Sequence, residues 1–118
     1  MYAATHELGG PDGCVLIVRL PPDLNHETAE TVRSLVQSRL PNRDGAGVVL
    51  DARDLRFISS IGIAALLEIE EFCRDRGCPM IVGALPASQE SFLKMLKLHD
   101  RFAREATIDE AIRRAAGA

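Results

Sequence analysis

Apolar residues fall into short blocks along the chain, and the spacing within each block predicts alternating strands and helices. Residues 14–20 (CVLIVRL) and 47–52 (GVVLDA) are runs of aliphatic and β-branched residues bounded by turn-forming segments, which predicts two strands. The second run shows no alternation, a pattern typical of a strand that is covered on both faces. A further strand is expected over residues 80–84, and a short one around Phe102.

Apolar residues at helical spacing fill the segments between these strands. The first helix is expected to begin after Asn25, whose side chain can cap it, and to end before Pro41. The second is expected from Ser60 to about Arg76, with Gly77 as its C-terminal glycine. Its predicted apolar stripe consists of Ile61, Ala64, Ala65, Ile69 and Phe72.

Two more helices are expected in the second half of the chain. Ser88 is the predicted N-cap of the third helix. Its apolar face is formed by Phe92, Leu93 and Leu96. Thr107 and Glu110 match the Ser/Thr-x-x-Asp/Glu capping box, in which the two side chains satisfy backbone N–H groups, so they mark the start of the fourth helix.

The order of these elements predicts the fold class. An edge strand is expected within residues 3–8, followed by a hairpin turn at residues 9–13 (GGPDG). The order is then strand, strand, helix, strand, helix, strand, helix, short strand, helix. This alternation predicts an α/β fold in one domain over residues 1–118, with a central mixed sheet of about four to five strands, about four helices and right-handed crossovers. Function usually resides in the loops after such strands.

Composition narrows the classes of partner. The chain has 118 residues, of which 47% are hydrophobic, so one core can form without metals or disulfides. A formal net charge of −3 argues against nucleic-acid binding, which favours a basic surplus. No apolar run approaches the roughly 20 residues of a membrane span, and the N-terminal residues do not resemble a signal peptide. We therefore expect a cytoplasmic protein without membrane insertion.

Three cysteines, Cys14, Cys73 and Cys78, form no CxxC pair and no metal-ligand spacing. An odd number of cysteines in a small chain indicates reduced thiols. The simplest interpretation is that all three are small buried hydrophobic residues. A disulfide between Cys73 and Cys78 is conceivable across the expected turn but is not favoured.

Ser59 and Ser60 lie between the strand at residues 47–52 and the second helix, and two interpretations of them are open. Serine is a favoured N-cap because its hydroxyl accepts a hydrogen bond from a helix N–H group. A helix N-terminus also attracts anions. A phosphate on a serine there would add about 1.5 to 2 negative charges and change a docking surface with little backbone motion. The pattern alone favours capping.

The sequence offers no set of catalytic, phosphate-binding or metal-binding residues. Residues 58–62 (ISSIG) do not match GxSxG, and residues 8–13 lack the spacing of a phosphate-binding loop. The three histidines have no recognisable acidic partner; they are His6, His26 and His99. Asp51 and Asp54 have no third ligand beside them and are interpreted as solvated loop acids. We therefore expect neither an enzyme nor a cofactor or metal site.

Three segments of the chain resemble a known family. Residues 48–69 (VVLDARDLRFISSIGIAALLEI) resemble the STAS domain of bacterial anti-sigma factor antagonists, in which an apolar strand ends in aspartate and a Phe-x-Asp-Ser-Ser-Gly-like turn opens a helix. Residues 76–102 and the TIDEAI segment at residues 107–112 are similar to the second half of that domain. The resemblance covers roughly residues 12–115, and the ordered set of motifs carries it.

The resemblance implies a regulatory function. In that family the unphosphorylated antagonist binds an anti-sigma factor that is itself a serine kinase, and this binding frees the sigma factor. The kinase phosphorylates a serine in the turn of the antagonist. Alignment on Phe57 and Gly62 places Ser60 at the phosphoacceptor position. Ser59 then stands in place of the motif aspartate and Ile61 in place of the second serine. Ser59 is the less favoured acceptor.

The resemblance also implies a partner-binding surface on one side of the fold. Asn25 stands where many relatives have aspartate, in the loop before the first helix. The predicted surface consists of Asp23, Leu24, Asn25, Phe57, Ile58, Ser59, Ser60, Ile61, Gly62, Ile63 and Ala64. The alternative is a non-switching STAS adaptor in a lipid-transport or signalling-scaffold complex. Whether two copies form a homodimer stays open.

Overall fold

The computed structural model describes residues 5–10, 13–39 and 47–116. Seven strands and four α-helices lie in these ranges, and a turn of 3-10 helix at His99–Arg101 precedes the last strand. The strands are β1 (Thr5–Gly10), β2 (Gly13–Arg19), β3 (Asp23–Leu24), β4 (Gly47–Asp51), β5 (Phe57–Ile58), β6 (Met80–Gly83) and β7 (Ala103–Glu105). The helices are α1 (His26–Arg39), α2 (Ser60–Asp75), α3 (Ala87–Met95) and α4 (Ile108–Ala115).

The central sheet has five strands in the order β1-β2-β4-β6-β7. β1 runs antiparallel to β2, with Gly10 opposite Gly13, and the other neighbours are parallel. The predicted α/β class, the mixed sheet and the edge strand are therefore confirmed. The hairpin turn expected at residues 9–13 is wrong in its bounds, because Gly9, Gly10 and Gly13 belong to the paired strands; its other two residues, Pro11 and Asp12, lie outside the described residues.

Strand β4 is the centre of the fold, and every one of its residues is buried, as predicted. Because successive strand side chains point to opposite faces, Val48 and Leu50 contribute to the large core with α1, α2 and α3, whereas Val49 contributes to a smaller core with α4. The sheet is thus covered on both faces, and the larger core lies on the side of α2.

Two glycines let α4 approach the sheet closely. A Cβ at Gly47 would lie 2.1 Å from the Ala115 carbonyl oxygen, and one at Gly83 would lie 2.9 Å from Ile108 Cδ1. Ala111 and Ala115 are the buried residues of α4. The helix therefore packs on β4 and β6 through small side chains and bare backbone.

Several predicted helix ends are confirmed. The Asn25 side-chain oxygen accepts hydrogen bonds from the N–H groups of Glu27 (3.0 Å) and Thr28 (3.2 Å) at the start of α1. Gly77 follows α2 with φ +68°, the left-handed conformation of a C-terminal glycine. The Glu110 N–H donates to the Thr107 hydroxyl (3.1 Å) at the start of α4. Pro41, the predicted end of α1, lies outside the described residues.

The predicted start of α3 is wrong by two residues. Pro86 is its N-cap, without a side-chain hydrogen bond, and Ser88 is an exposed residue inside the first turn. Proline suits a helix start because its fixed φ is compatible with the turn. At the other end, Leu96 is 42% exposed rather than part of an apolar face, because α3 ends at Met95 and Leu96 is its C-cap.

The predicted apolar stripe of α2 is also wrong in its first turn. Ala65 and Ile69 are buried as expected, but Ile61 is 53% exposed and Ala64 is exposed. The buried residues of α2 are Gly62, Ile63, Ala65, Leu66, Ile69 and Cys73. The reason is that Gly62 faces the Leu24 carbonyl at close range, which sets the rotation of the helix and turns Ile61 and Ala64 outward.

Candidate functional site

Two very short strands, which the sequence did not predict, bring the two predicted site segments together. β3 pairs in parallel with β5, with Asp23 opposite Phe57 and Leu24 opposite Ile58. Leu24 and Ile58 are buried, whereas Asp23 and Phe57 are exposed. The pairing therefore places residues 23–25 beside residues 57–60, although about 35 residues separate them in the sequence.

Backbone hydrogen bonds hold this strand pair. The N–H groups of Arg56 and Phe57 donate to the Pro22 carbonyl oxygen (2.7 and 3.0 Å), and the Ser59 N–H donates to the Leu24 carbonyl oxygen (3.0 Å). From below, the amide of the buried Gln89 in α3 donates to the Arg56 carbonyl oxygen. Gln89 supports the loop, and sequence reasoning missed it because a lone Gln on a helix carries no signal.

The two serines have different surroundings. Ser59 is the N-cap of α2, in extended conformation, and its Oγ accepts a hydrogen bond from the Gly62 N–H (3.0 Å) and donates one to the Leu24 carbonyl oxygen (3.2 Å). Ser60 is the first residue of α2 and is exposed. Its hydroxyl makes no hydrogen bond within the described part of the chain. Ser59 is thus engaged and Ser60 is accessible.

Gly62 is required by a close approach. A Cβ at this position would lie 2.3 Å from the Leu24 carbonyl oxygen and 3.2 Å from Ile58 Cγ2. The first turn of α2 therefore rests directly on β3 and β5. Any larger residue at position 62 would separate the helix from the strand pair.

A shallow groove of about 350 Å³ runs along this junction. Its lining residues are Asp23, Leu24, Asn25, Phe57, Ile58 and Ser59. Phe57 is 69% exposed, and Ile61 lies beyond it on the first turn of α2. Contiguous exposed apolar area is typical of interaction sites and ligand-binding grooves. The groove is open and joins apolar area to hydroxyl, amide and carboxylate groups, as protein-binding surfaces do.

The predicted site residues divide into exposed and supporting members. The exposed ones are Asp23, Asn25, Phe57, Ser59, Ser60, Ile61 and Ala64, and the buried ones are Leu24, Ile58, Gly62 and Ile63. Six of the eleven line the groove, and the other five follow Ser59 directly as the first residues of α2, so the set forms one region made of residues 23–25 and 57–64. We call this the candidate surface.

The electrostatics at Ser60 would suit an anion. The first turn of α2 contains no acidic residue, so the partial positive charge of the helix N-terminus is not offset by its own side chains. Arg56, just before β5, is exposed. A negative group on Ser60 would therefore meet N–H donors rather than carboxylates of the same turn.

Asp51, at the end of β4, and Asp54, in the loop after it, are not both solvated, which corrects the expectation for Asp51. Asp51 is only 3% exposed, and its carboxylate pairs with the Arg53 guanidinium at 2.9 Å. It is buried because it is the last residue of the central strand. Asp54 pairs with Arg19 at 2.7 Å. Among the described residues, no group of three or more His, Cys, Asp or Glu could hold a metal ion.

The cysteines at the end of α2 are buried. Cys73 and Cys78 are both buried thiols without a disulfide, and burial, with a smaller contribution from Cys78, raises the pKa of Cys73 to about 12. Such a thiol has little thiolate at neutral pH and is chemically inert. The side chain of Cys14 lies outside the description.

None of the helices in the described ranges is long and apolar enough to cross a membrane.

Comparisons with known proteins match this chain to a domain family and to a named relative. The model of the STAS domain family matches residues 5–111. A curated protein of Paenibacillus polymyxa named "Anti-sigma F factor antagonist" is 32% identical over 68 residues. That match spans 58% of this chain and 58% of the relative, so the chain covers less than two thirds of the relative's length.

Two solved structures share the architecture. An anti-sigma-factor antagonist (STAS) domain protein from Planctomyces limnophilus superposes with a TM-score of 0.75 at 14% identity, covering 98% of this chain and 99% of that one. The anti-sigma factor antagonist SpoIIAA in its unphosphorylated form gives a TM-score of 0.74 at 17% identity, with 98% of each chain covered. At these identities the similarity establishes the fold alone.

Proposed function

Because this chain belongs to the STAS domain family, we propose that it is an anti-sigma factor antagonist of the cytoplasm, a regulatory binding protein rather than an enzyme. Its partner is an anti-sigma factor that is also a serine kinase, and it binds through the candidate surface. Phosphorylation of Ser60 ends the binding and so controls sigma factor release. The name of the Paenibacillus polymyxa relative supports the class of partner.

The observation that carries the switch is the difference between the two serines. The Ser59 hydroxyl has both a donor and an acceptor partner, so a kinase would have to break two hydrogen bonds to reach it. The Ser60 hydroxyl is exposed beside Phe57 and Ile61 and has no hydrogen bond to break within the described residues. Ser60 is therefore the acceptor, and Ser59 is the cap of the helix.

A phosphate on Ser60 would act on binding more than on folding. It adds about 1.5 to 2 negative charges, which the N–H groups at the start of α2 tolerate in the unbound protein. In the complex the same phosphate would lie among exposed apolar side chains, Phe57 and Ile61. Burying it there costs desolvation energy and repels acidic partner groups. The switch thus needs no change of fold.

A pull-down from cell extract followed by mass spectrometry identifies the partner. The purified partner is then incubated with this protein and MgATP, and the modified peptide is sequenced. We expect one phosphate, on Ser60, and loss of the complex as it forms. Ser60→Ala should bind without being modified, and Ser60→Asp should bind at least tenfold more weakly.

Ser88 provides a matched control. It is an exposed serine in the first turn of a helix, as Ser60 is, but it lies on α3. Ser88→Ala and Ser88→Asp should leave both phosphorylation and binding unchanged. Modification of Ser60 with no loss of partner binding would refute the switch, and so would a kinase partner that binds tightly while Ser60 stays unmodified.

The second candidate is a non-switching STAS adaptor. It is favoured by two residues of the turn, Ser59 and Ile61, which stand where the resemblance leads us to expect aspartate and serine. In that case the pull-down should return subunits of a transport or scaffold complex instead of a kinase. Ser60→Asp would then weaken that complex only if the same surface is used.

A further inference from the structure

We propose that Ser59 is a positioning residue whose hydroxyl fastens the loop at residues 23–25 to the first turn of α2. It thereby holds the two halves of the candidate surface in one fixed arrangement. The inference rests on the proposed function, because the surface it organises is the one assigned to the partner. It gives the second serine a task of its own, distinct from accepting phosphate.

The Ser59 hydroxyl joins β3 to the first turn of α2. It accepts the Gly62 N–H (3.0 Å) from α2 and donates to the Leu24 carbonyl oxygen (3.2 Å) of β3. The Ser59 backbone N–H donates to the same carbonyl oxygen (3.0 Å). The Leu24 carbonyl oxygen is thus held by both the backbone N–H group and the side-chain hydroxyl of Ser59.

The next residue carries this link into α1. Asn25, directly after Leu24, caps α1 with its side-chain oxygen, and the Thr28 hydroxyl donates to the Asp23 carbonyl oxygen (2.7 Å). Leu24 therefore lies between the starts of two helices. Fixing its carbonyl fixes the position of α1's first turn relative to that of α2.

The strand pair alone is too short to do this. β3 and β5 contain two residues each, and such a small ladder is marginal without further support. Further hydrogen bonds reach the Pro22 carbonyl oxygen and, from Gln89, the Arg56 carbonyl oxygen at one end, and the Leu24 carbonyl oxygen at the other. Ser59 makes both hydrogen bonds at the second end, which is the end nearest Ser60.

The two contacts that Ser59 makes in this chain need a hydroxyl. Ser and Thr hydroxyls donate and accept at once, whereas a carboxylate only accepts and alanine does neither. An aspartate at position 59 would still cap the Gly62 N–H, but it would present negative charge to the Leu24 carbonyl oxygen. Exchange of Ser59 for aspartate therefore removes the fastening and keeps the cap, which separates the two roles.

The test uses Ser59→Thr, Ser59→Asp and Ser59→Ala in the full chain. In the unbound protein, amide hydrogen exchange is measured at residues 23–25 and 59–62, beside thermal unfolding. Ser59→Thr should match the wild type in exchange and stability. Ser59→Asp keeps the cap, so its melting temperature should fall less than that of Ser59→Ala. It should still speed exchange at the Ser59 amide and in residues 23–25 about fivefold to tenfold, as expected for one lost hydrogen bond. Ser59→Ala should lose both the cap and the fastening, so it should be less stable than the wild type and exchange faster.

Binding is measured in parallel with the partner from the pull-down. Ser59→Thr should bind within about twofold of wild type, and Ser59→Asp about fivefold to tenfold more weakly. Unchanged exchange in Ser59→Asp would overturn the proposal, and so would a Ser59→Thr variant as mobile as Ser59→Ala. If the wild type binds no anti-sigma factor, the proposed function fails, while the exchange data still decide the role of Ser59.

Discussion

Replacing Gly62 with alanine tests how closely α2 rests on the strand pair. The added Cβ would lie 2.3 Å from the Leu24 carbonyl oxygen and 3.2 Å from Ile58 Cγ2. Since carbon–oxygen contacts normally begin at about 3.3 Å, the helix or the strand must move by about 1 Å. The contacting groups are the Leu24 backbone and the buried Ile58 side chain, and neither can move without disturbing its own packing or hydrogen bonds.

The magnitude follows from three contributions. Overpacking costs about 1–3 kcal/mol, and weakening the Ser59 hydrogen bonds to Leu24 costs about 1 kcal/mol more. The gain in helix propensity from glycine to alanine offsets up to about 1 kcal/mol. We therefore expect Gly62→Ala to lower the free energy of unfolding by about 1–3 kcal/mol and the melting temperature by about 4 °C or more for each kcal/mol.

Urea unfolding followed by circular dichroism measures this change. Ala64→Gly is the matched control, because Ala64 is exposed two residues further along α2, so it reports helix propensity alone, a loss of about 1 kcal/mol. If Gly62→Ala is as stable as the wild type or more stable, the close contact with Leu24 does not exist in solution and the reasoning is refuted.

Two further predictions concern the ends of the helices. Lys97 follows α3 with φ +60°, in the same hydrogen-bonded turn that Gly77 makes after α2. Since glycine adopts this conformation without strain, Lys97→Gly should stabilise the protein by about 0.5–1 kcal/mol in thermal unfolding. Lys97→Ala keeps the strained conformation and should not stabilise it. The pKa of Cys73 is raised by burial from about 9 to about 12, so the unfolded chain loses this proton first. The free energy of unfolding should therefore be unaffected by this group below pH 9 and fall as the pH rises from 9 to 12; the same titration of Cys73→Val should be flatter, and an equally steep fall in that variant would contradict the assignment.

The elements that sequence predicted best are those whose pattern has one physical cause. β4 was identified because a parallel strand covered on both faces has to be apolar throughout, and Val48, Val49 and Leu50 are all buried. The caps at Asn25 and Thr107 were identified because their side chains satisfy donors that every helix start leaves open. Such local rules are independent of the rest of the fold.

The misassigned residues of α2 show where sequence reasoning reaches its limit. Ile61 and Ala64 fit a helical apolar stripe, and both are exposed on the candidate surface. An apolar residue kept for a core and one kept for a partner look the same in a sequence. The contact between Gly62 and Leu24, which decides the rotation of the helix, joins residues 38 positions apart and is invisible in a local pattern.

The strand pair β3–β5 was missed for a related reason. Two residues are too few to show alternation, so Asp23–Leu24 and Phe57–Ile58 looked like loops. The resemblance to a family still predicted that both segments belong to one surface. The structure adds the hydrogen bonds that join them and the different surroundings of Ser59 and Ser60, which depend on the distant Leu24 carbonyl.

The packing of α4 through Gly47 and Gly83 has a consequence for how the protein opens. The eight-residue helix covers Val15, Val49 and Ile81 of the sheet through Ala111 and Ala115. This core is smaller than the one that α1 and α2 share beneath the candidate surface. Elements with few buried apolar contacts open at low free energy as separate cooperative units. Because α4 rests on the smaller of the two cores, we expect it to open at lower free energy than the opposite layer, which carries the candidate surface.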